Sequence, residues 1–212
     1  MTIPPPHDLL LFAGAAAMLV AVPGPNHLYV ASRAVSAGRS AGLAASVGIE
    51  AGTAVHVALA AAGLTRVVAS SPEAVRGLTL ADAGYLTYLA FRARQGAAVH
   101  RESGPSPARR DWARELGDAA AVNLLNPKVI LFFVAFLPPF IDPHAGDVPG
   151  QVVSYGIVLV ALGALSNTGY ALAASTMSAR SAGNAHRAAW TGRLQAAVYL
   201  VLAAAAVAHL FT

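Results

Sequence analysis

The chain has no cysteine, and that absence excludes disulfide scaffolds, iron–sulfur clusters, thiolate zinc sites and thiol-relay chemistry. Charge is scarce as well: Asp, Glu, Lys and Arg make up 11% of the residues, less than half the roughly 25% of a soluble globular domain. No Gly-rich loop ending in Gly-Lys-Ser/Thr, no His-Glu-x-x-His pair and no Gly-x-Ser-x-Gly turn occurs, so neither nucleotide-driven nor hydrolytic chemistry has a foothold. The histidines do not cluster with zinc-ligand spacing, and His7, His100, His144 and His186 fall in loops or tails. No metal and no cofactor is implied. No Lys or Arg precedes Arg33. The Ala15-Ala16-Ala17 run therefore lacks the positively charged n-region that would make it a signal-peptide cleavage site.

What is present is apolar. Hydrophobic residues make up 56% of the chain and the mean hydropathy is +0.57. They come in long blocks, not as the stripe of a soluble helix. Six stretches stand out, near residues 9–34, 41–64, 74–91, 119–141, 152–177 and 194–211, most of them approaching the ~20 residues that cross a bilayer. The third is weakest, because Arg76 and Asp82 interrupt it, but it is dense in Leu and Ala, and Tyr85 and Tyr88 suit a membrane interface. The expectation is an all-α integral membrane protein, six transmembrane helices forming one domain over 1–212.

A net charge of +4 raises the question of nucleic acid, yet the Arg residues sit in short loops and form no patch, so no nucleic-acid partner is expected. They report topology instead. Arg33 and Arg39 mark the first loop; Arg92, Arg94, Arg101, Arg109, Arg110 and Arg114 the third; Arg180, Arg187 and Arg193 the fifth. The second has only Arg66 and Arg76, and the fourth offers Asp142 and Asp147. By the positive-inside rule the odd loops face the cytoplasm and both termini lie outside. The basic third loop also suits contact with anionic membrane lipid. It contains Gly104-Pro105-Ser106-Pro107 and divides the chain into halves of about 1–100 and 110–212. Three spans per half force the halves to insert in opposite senses, the geometry of an inverted repeat.

Within the first stretch lies Pro23-Gly24-Pro25-Asn26, and within the fourth Asn123-Leu124-Leu125-Asn126-Pro127-Lys128. Proline removes a backbone donor and clashes with the preceding turn, so each helix must break there. Lipid cannot satisfy the freed groups. Either neighbouring helices do so, as at ordinary kinks, or the paired breaks form a transporter binding site, with half-helix N-termini aimed at anionic groups.

At these residues the chain resembles the LysE/RhtB amino-acid exporters. The resemblance rests on Pro23-Gly24-Pro25-Asn26, the Gly-spaced second helix, the Gly84-Tyr85-Leu86 to Tyr88-Leu89 stretch, and Asn123 through Pro138, reading NLLNPKVILFFVAFLP. Pro138-Pro139 departs from the family pattern, in which a polar residue such as Gln follows a single Pro, and His27 and Glu50 match no fixed position. The resemblance implies export of amino acids or similar small metabolites across a bacterial cytoplasmic (inner) membrane, driven by protons. Substrate-binding candidates are then Pro23, Gly24, Pro25, Asn26, Asn123, Asn126, Pro127, Lys128 and Asn167. The substrate carboxylate is expected near Asn26, Asn126 and Lys128, and its ammonium near Glu50.

Glu50, His56 and Asp82 are the proton-coupling candidates. A charged side chain at the centre of a membrane helix costs roughly 2.5–3.5 kcal/mol on insertion scales, so Glu50 needs a partner or a function. Protonation would remove its charge; a structural pair with Lys128 or an interior Arg is the alternative. His56 shares a face with Gly48 and Gly52, where small residues permit close helix approach, and packing is as good a reading for it as proton transfer. That face leaves homodimerisation open. Asp82, near a helix end, also suits a helix start. Ser166-Asn167-Thr168 either faces a cavity or joins helices. A passive channel, a structural membrane subunit and an intramembrane enzyme are the competing functions.

Overall fold

The computed structural model describes residues 4–21, 23–63, 71, 73, 76–77, 79–81, 83–91, 112–179, 193, 196–201 and 203–204. Among these residues all regular structure is helical. In order they form α1 (Pro6–Ala21), α2 (Pro25–Ala37), α3 (Arg39–Ala61), α4 (83–91), α5 (Trp112–Leu125), α6 (Pro127–Leu131), α7 (Val148–Ala179) and α8 (196–201). The outer ends of the third and sixth apolar stretches, Asp82 and most of the basic third loop lie outside the described residues. Two helices, α3 and α7, are long and apolar enough to cross a membrane singly. The α1–α2 pair, and α5 with α6 and its continuation to Phe140, each pass as one broken span, which gives up to four among the described residues.

Both breaks fall at the prolines. The α1 and α2 axes meet at 56° and the α5–α6 axes at 55°, because Pro25 and Pro127 each open the second segment at its first helical position, where a missing N–H does no harm. Beyond α6 the chain widens into a π turn over Phe132–Phe136, with Leu137 N–H bonded to the Phe132 carbonyl at 2.9 Å, then tightens into a 3-10 turn at Pro138–Phe140. Pro138 has no N–H to continue an α ladder, so the preceding turn takes the wider closure. A single residue, Gly38, joins α2 to α3; its φ of 89° lies where a side chain would be strained.

Small residues set the helix register. Side chains added at Gly42, Gly163 and Gly156 would collide with Ala34 and Ala171, with Glu50, and with Val57 respectively. Steps forward along α3 from 42 to 50 to 57 are thus matched by equal steps backward along α7 from 171 to 163 to 156, so α3 and α7 run antiparallel. Gly48 packs on Leu116 and Ala119, and Gly52 on Ala120 and Asn123, so α3 and α5 run parallel. The antiparallel seating of α3 and α7, the second helices of the two halves, is the sense that halves inserted oppositely would give. The Gly48–Gly52 face is therefore filled by α5 of the same chain and is no surface for a second copy.

Two apolar cores lie on either side of the level of the breaks. One gathers Tyr29, Val30, Ile49, Leu86, Val122 and Tyr199; the other gathers Phe12, Phe132, Phe133, Tyr155 and Leu159. Leu10, Leu11, Met18, Val47, Ile157 and Leu165 are exposed on the outside, the pattern of a bundle whose surroundings are apolar too.

Candidate functional site

Between the two cores the breaks border a cavity of about 80 Å³, room for several water molecules. Of the residues singled out from the sequence, Gly24, Pro25, Asn26, Glu50, Asn123, Asn126, Lys128 and Asn167 line it. Pro23 precedes Gly24 in the chain, and Pro127 opens α6 directly after Asn126. His56 is buried elsewhere, stacked on Phe133 with ring centroids 5.6 Å apart.

The freed backbone groups find specific partners. In an uninterrupted helix the Leu19 carbonyl would accept from the N–H of residue 23, but that residue is proline. The Lys128 ammonium donates to this carbonyl instead, at 3.0 Å. The Gly24 N–H, cut off from its own i−4 carbonyl, donates to His27 Nδ1 at 3.3 Å. At the second break, Pro127 leaves the Asn123 carbonyl without its i+4 donor. The Asn126 N–H turns to it at 3.1 Å.

Asn126, 1% exposed, joins the two breaks. Its Oδ1 accepts from the Lys128 N–H at 3.0 Å, capping α6. Its Nδ2 donates to Asn26 Oδ1 at 2.9 Å. A single amide thereby fixes residues 100 apart in sequence.

Glu50 faces the same space from α3. Asn167 Nδ2 donates to its Oε1 at 2.9 Å. No cation pairs with Glu50 among the described residues, so the alternative of a structural ion pair with Lys128 or an interior Arg is not what the fold adopts. Glu50 Oε2 and the Asn167 and Asn123 Oδ1 atoms are buried without a hydrogen-bond partner. Such acceptors call for a donor. Gly163 makes the room: a β-carbon there would stand 2.7 Å from Glu50 Oε1.

Three participants were not singled out as site residues from the sequence. Thr53 holds the Asn123 amide at 3.3 Å, and its position one turn beyond Glu50 was the available signal. Gly163 carries no sequence mark of its role. His27 stands at the third position of a helix opened by Gly24-Pro25, where a side chain can reach back to the N-cap N–H. Its Nε2 lies 2.9 Å from Ser166 Oγ, which places the Ser166-Asn167 pair at the site.

Each end of the cavity is backed by a different kind of contact. Toward the α2–α3 turn, Arg33 makes a two-pronged ion pair with Glu115 of α5, both contacts at 2.5 Å, while Tyr85 donates to Asp118 at 2.9 Å and Tyr29 stacks on Tyr199. At the opposite end Phe12 packs against Phe140 and Tyr155 at centroid distances of 5.2 and 4.7 Å.

Two interrupted apolar helices around a cavity that carries a few polar and charged groups on an apolar wall define the chain as a multi-pass α-helical membrane protein of translocator type. It belongs to the LysE type translocator family, whose profile matches residues 17–209, and that family consists of transporters, not enzymes. Similar proteins include an uncharacterized membrane protein of Pseudomonas aeruginosa, 30% identical over 140 residues, 64% of this chain and 65% of that protein. Leucine efflux proteins of Salmonella choleraesuis and Salmonella typhimurium are 29% identical over 134 residues, 62% of this chain and 63% of each relative. The chain thus spans just under two thirds of the length of these relatives. No solved structure matches it.

Proposed function

We propose that this protein is a secondary active exporter of amino acids or closely related zwitterions, moving them outward across a bacterial cytoplasmic membrane in exchange for protons. One observation carries the reading: a single cavity at two proline breaks has an ammonium, Lys128, and a carboxylate, Glu50, on its walls. A zwitterion offers the complementary pair. Its carboxylate would meet Lys128 and the Asn26–Asn126 amides, and its ammonium the unpartnered acceptors at Glu50 and Asn167. Leu19, Val20, Ile49, Val129, Phe132 and Leu159 complete the lining and suit an aliphatic side chain, in keeping with the leucine efflux proteins among its relatives. Competition between a proton and the substrate ammonium for Glu50 would couple the two fluxes, since protonation removes the charge that holds the ammonium. Six spans in two inverted halves, with termini outside, complete this reading; alternating access would come from one half rocking against the other.

The test is transport in proteoliposomes containing the purified protein, with labelled leucine first and other amino acids after it. The reading expects counterflow of at least one amino acid, uphill movement driven by an imposed pH gradient, and collapse of that gradient by an uncoupler. Glu50→Gln should abolish both counterflow and uphill movement. Flux that runs only downhill and ignores the uncoupler would replace the exporter with a channel.

A further inference from the structure

The three titratable groups on the cavity wall are Glu50, Lys128 and His27. The first two have the roles just given, but His27 has none in binding, because both its ring nitrogens are engaged in holding the fold. Its Nδ1 accepts the Gly24 N–H at 3.3 Å. An accepting nitrogen needs its lone pair, so the proton of the neutral ring is on Nε2 and is donated to Ser166 Oγ at 2.9 Å. The ring lies against Tyr170, with centroids 4.5 Å apart, and is 6% exposed.

This arrangement ties three things together. Gly24 is the N-cap of α2 and has no side chain to satisfy the first turn, and among the described residues His27 supplies the side-chain partner of its N–H. Ser166 belongs to α7, the long helix of the other half, and its neighbour Asn167 holds Glu50. His27 therefore connects the broken helix of the first half to the helix that positions the carboxylate.

We propose that His27 is a proton-coupling residue that acts by position: a proton arriving on Nδ1 releases the cap of α2 and frees the break to rearrange. The chemistry leaves no alternative to that release, because an imidazolium carries N–H on both nitrogens and cannot accept from Gly24. Lys128 of α6 lines the same cavity as the ring, and the N-terminal end of α2 repels a cation. Glu50 of α3 and Tyr170 of α7 are the groups that would accept an imidazolium swung out of the cap. His7 and Asp8 lie at the far end of α1. A protonated His27 thus belongs to a different arrangement of the first break, and by linkage whatever populates that arrangement takes up a proton.

This inference rests on the cavity being the substrate site, and the test separates the two. Reconstituted wild-type, His27→Asn and His27→Gln proteins are compared for leucine counterflow at equal pH on both sides and for leucine movement driven by a pH gradient. Asn can still accept from Gly24 and Gln can still reach Ser166, but neither titrates. The expected result is counterflow that persists at a reduced rate, with uphill accumulation falling clearly below the wild-type ratio, because exchange at Glu50 remains while the proton taken up at His27 is lost. A non-titrating variant that keeps the full wild-type gradient overturns the proposal. Ser166→Ala supplies an independent readout should neither variant fold: it leaves His27 titratable but removes its Nε2 partner, so the pH at which efflux is half-maximal must move, and an unmoved profile overturns the proposal as well. Absence of counterflow in the wild type for every amino acid would instead remove the exporter reading.

Discussion

The two proline breaks start from the same chemistry and are completed differently. At the second, Asn126 caps its own helix through the N–H two residues on, and the Asn123 carbonyl is met by the Asn126 N–H. At the first, the cap is a glycine with no side chain. The Gly24 N–H depends on His27, and the Leu19 carbonyl depends on Lys128 from the other half of the chain. Neutral groups close the second break largely from within. A titratable ring and a cation close the first, so its geometry responds to protons and to anything that competes for the ammonium.

Substitutions can break that asymmetry or sharpen it. The largest effect is expected from Lys128→Met, which leaves the Leu19 carbonyl without its charged partner and the substrate carboxylate without its anchor. A hydrogen bond to a charged group contributes about 1.5–3 kcal/mol, so transport should fall roughly 10- to 100-fold, read as the initial rate of leucine counterflow. Lys128→Arg should recover part of that rate. Equal loss of rate and thermal stability would show that the lysine merely holds the fold.

Asn126→Ala tests the other break and should act mainly on stability. Loss of an N-cap side chain costs about 0.5–2 kcal/mol, and the Asn26 amide loses its partner with it, which should appear as a lower unfolding midpoint of the purified protein in detergent. Asn126→Ser should restore the cap without the bridge to Asn26. Recovery of stability by Ser with no recovery of transport would separate the two roles of this amide.

The smallest effect is expected from Gly163→Ala. The added methyl meets the Glu50 carboxylate at 2.7 Å, and displacing the end of a side chain that can shift costs about 1 kcal/mol, or roughly a fivefold rise in the leucine KM with little change in kcat. An unchanged KM would show that the Glu50 position observed is not the one that meets substrate.

Much of this was legible beforehand. The apolar blocks and scarce charge announced a membrane bundle, and Pro23, Pro25 and Pro127 located both interruptions, since proline removes a donor wherever it stands. The pairing of polar residues was not legible. Glu50 and Lys128 read as a plausible ion pair, yet one bonds to Asn167 and the other to a backbone carbonyl. His56 read equally as a packing residue or a proton carrier, and it stacks on Phe133 away from the cavity lining. His27 carried a helix-start signal that gains meaning only once Ser166 is beside it, 139 residues along the chain.

The sequence by itself determined that the chain is helical and apolar, where its helices are cut, and which backbone groups each cut sets free, because these follow from local covalent chemistry and composition. Only the tertiary structure decided who satisfies those groups. Lys128, His27, Asn126 and Glu50 are each within hydrogen-bond reach of several partners in principle, and the antiparallel seating of α7 on α3, set by Gly42, Gly156 and Gly163, selects among them.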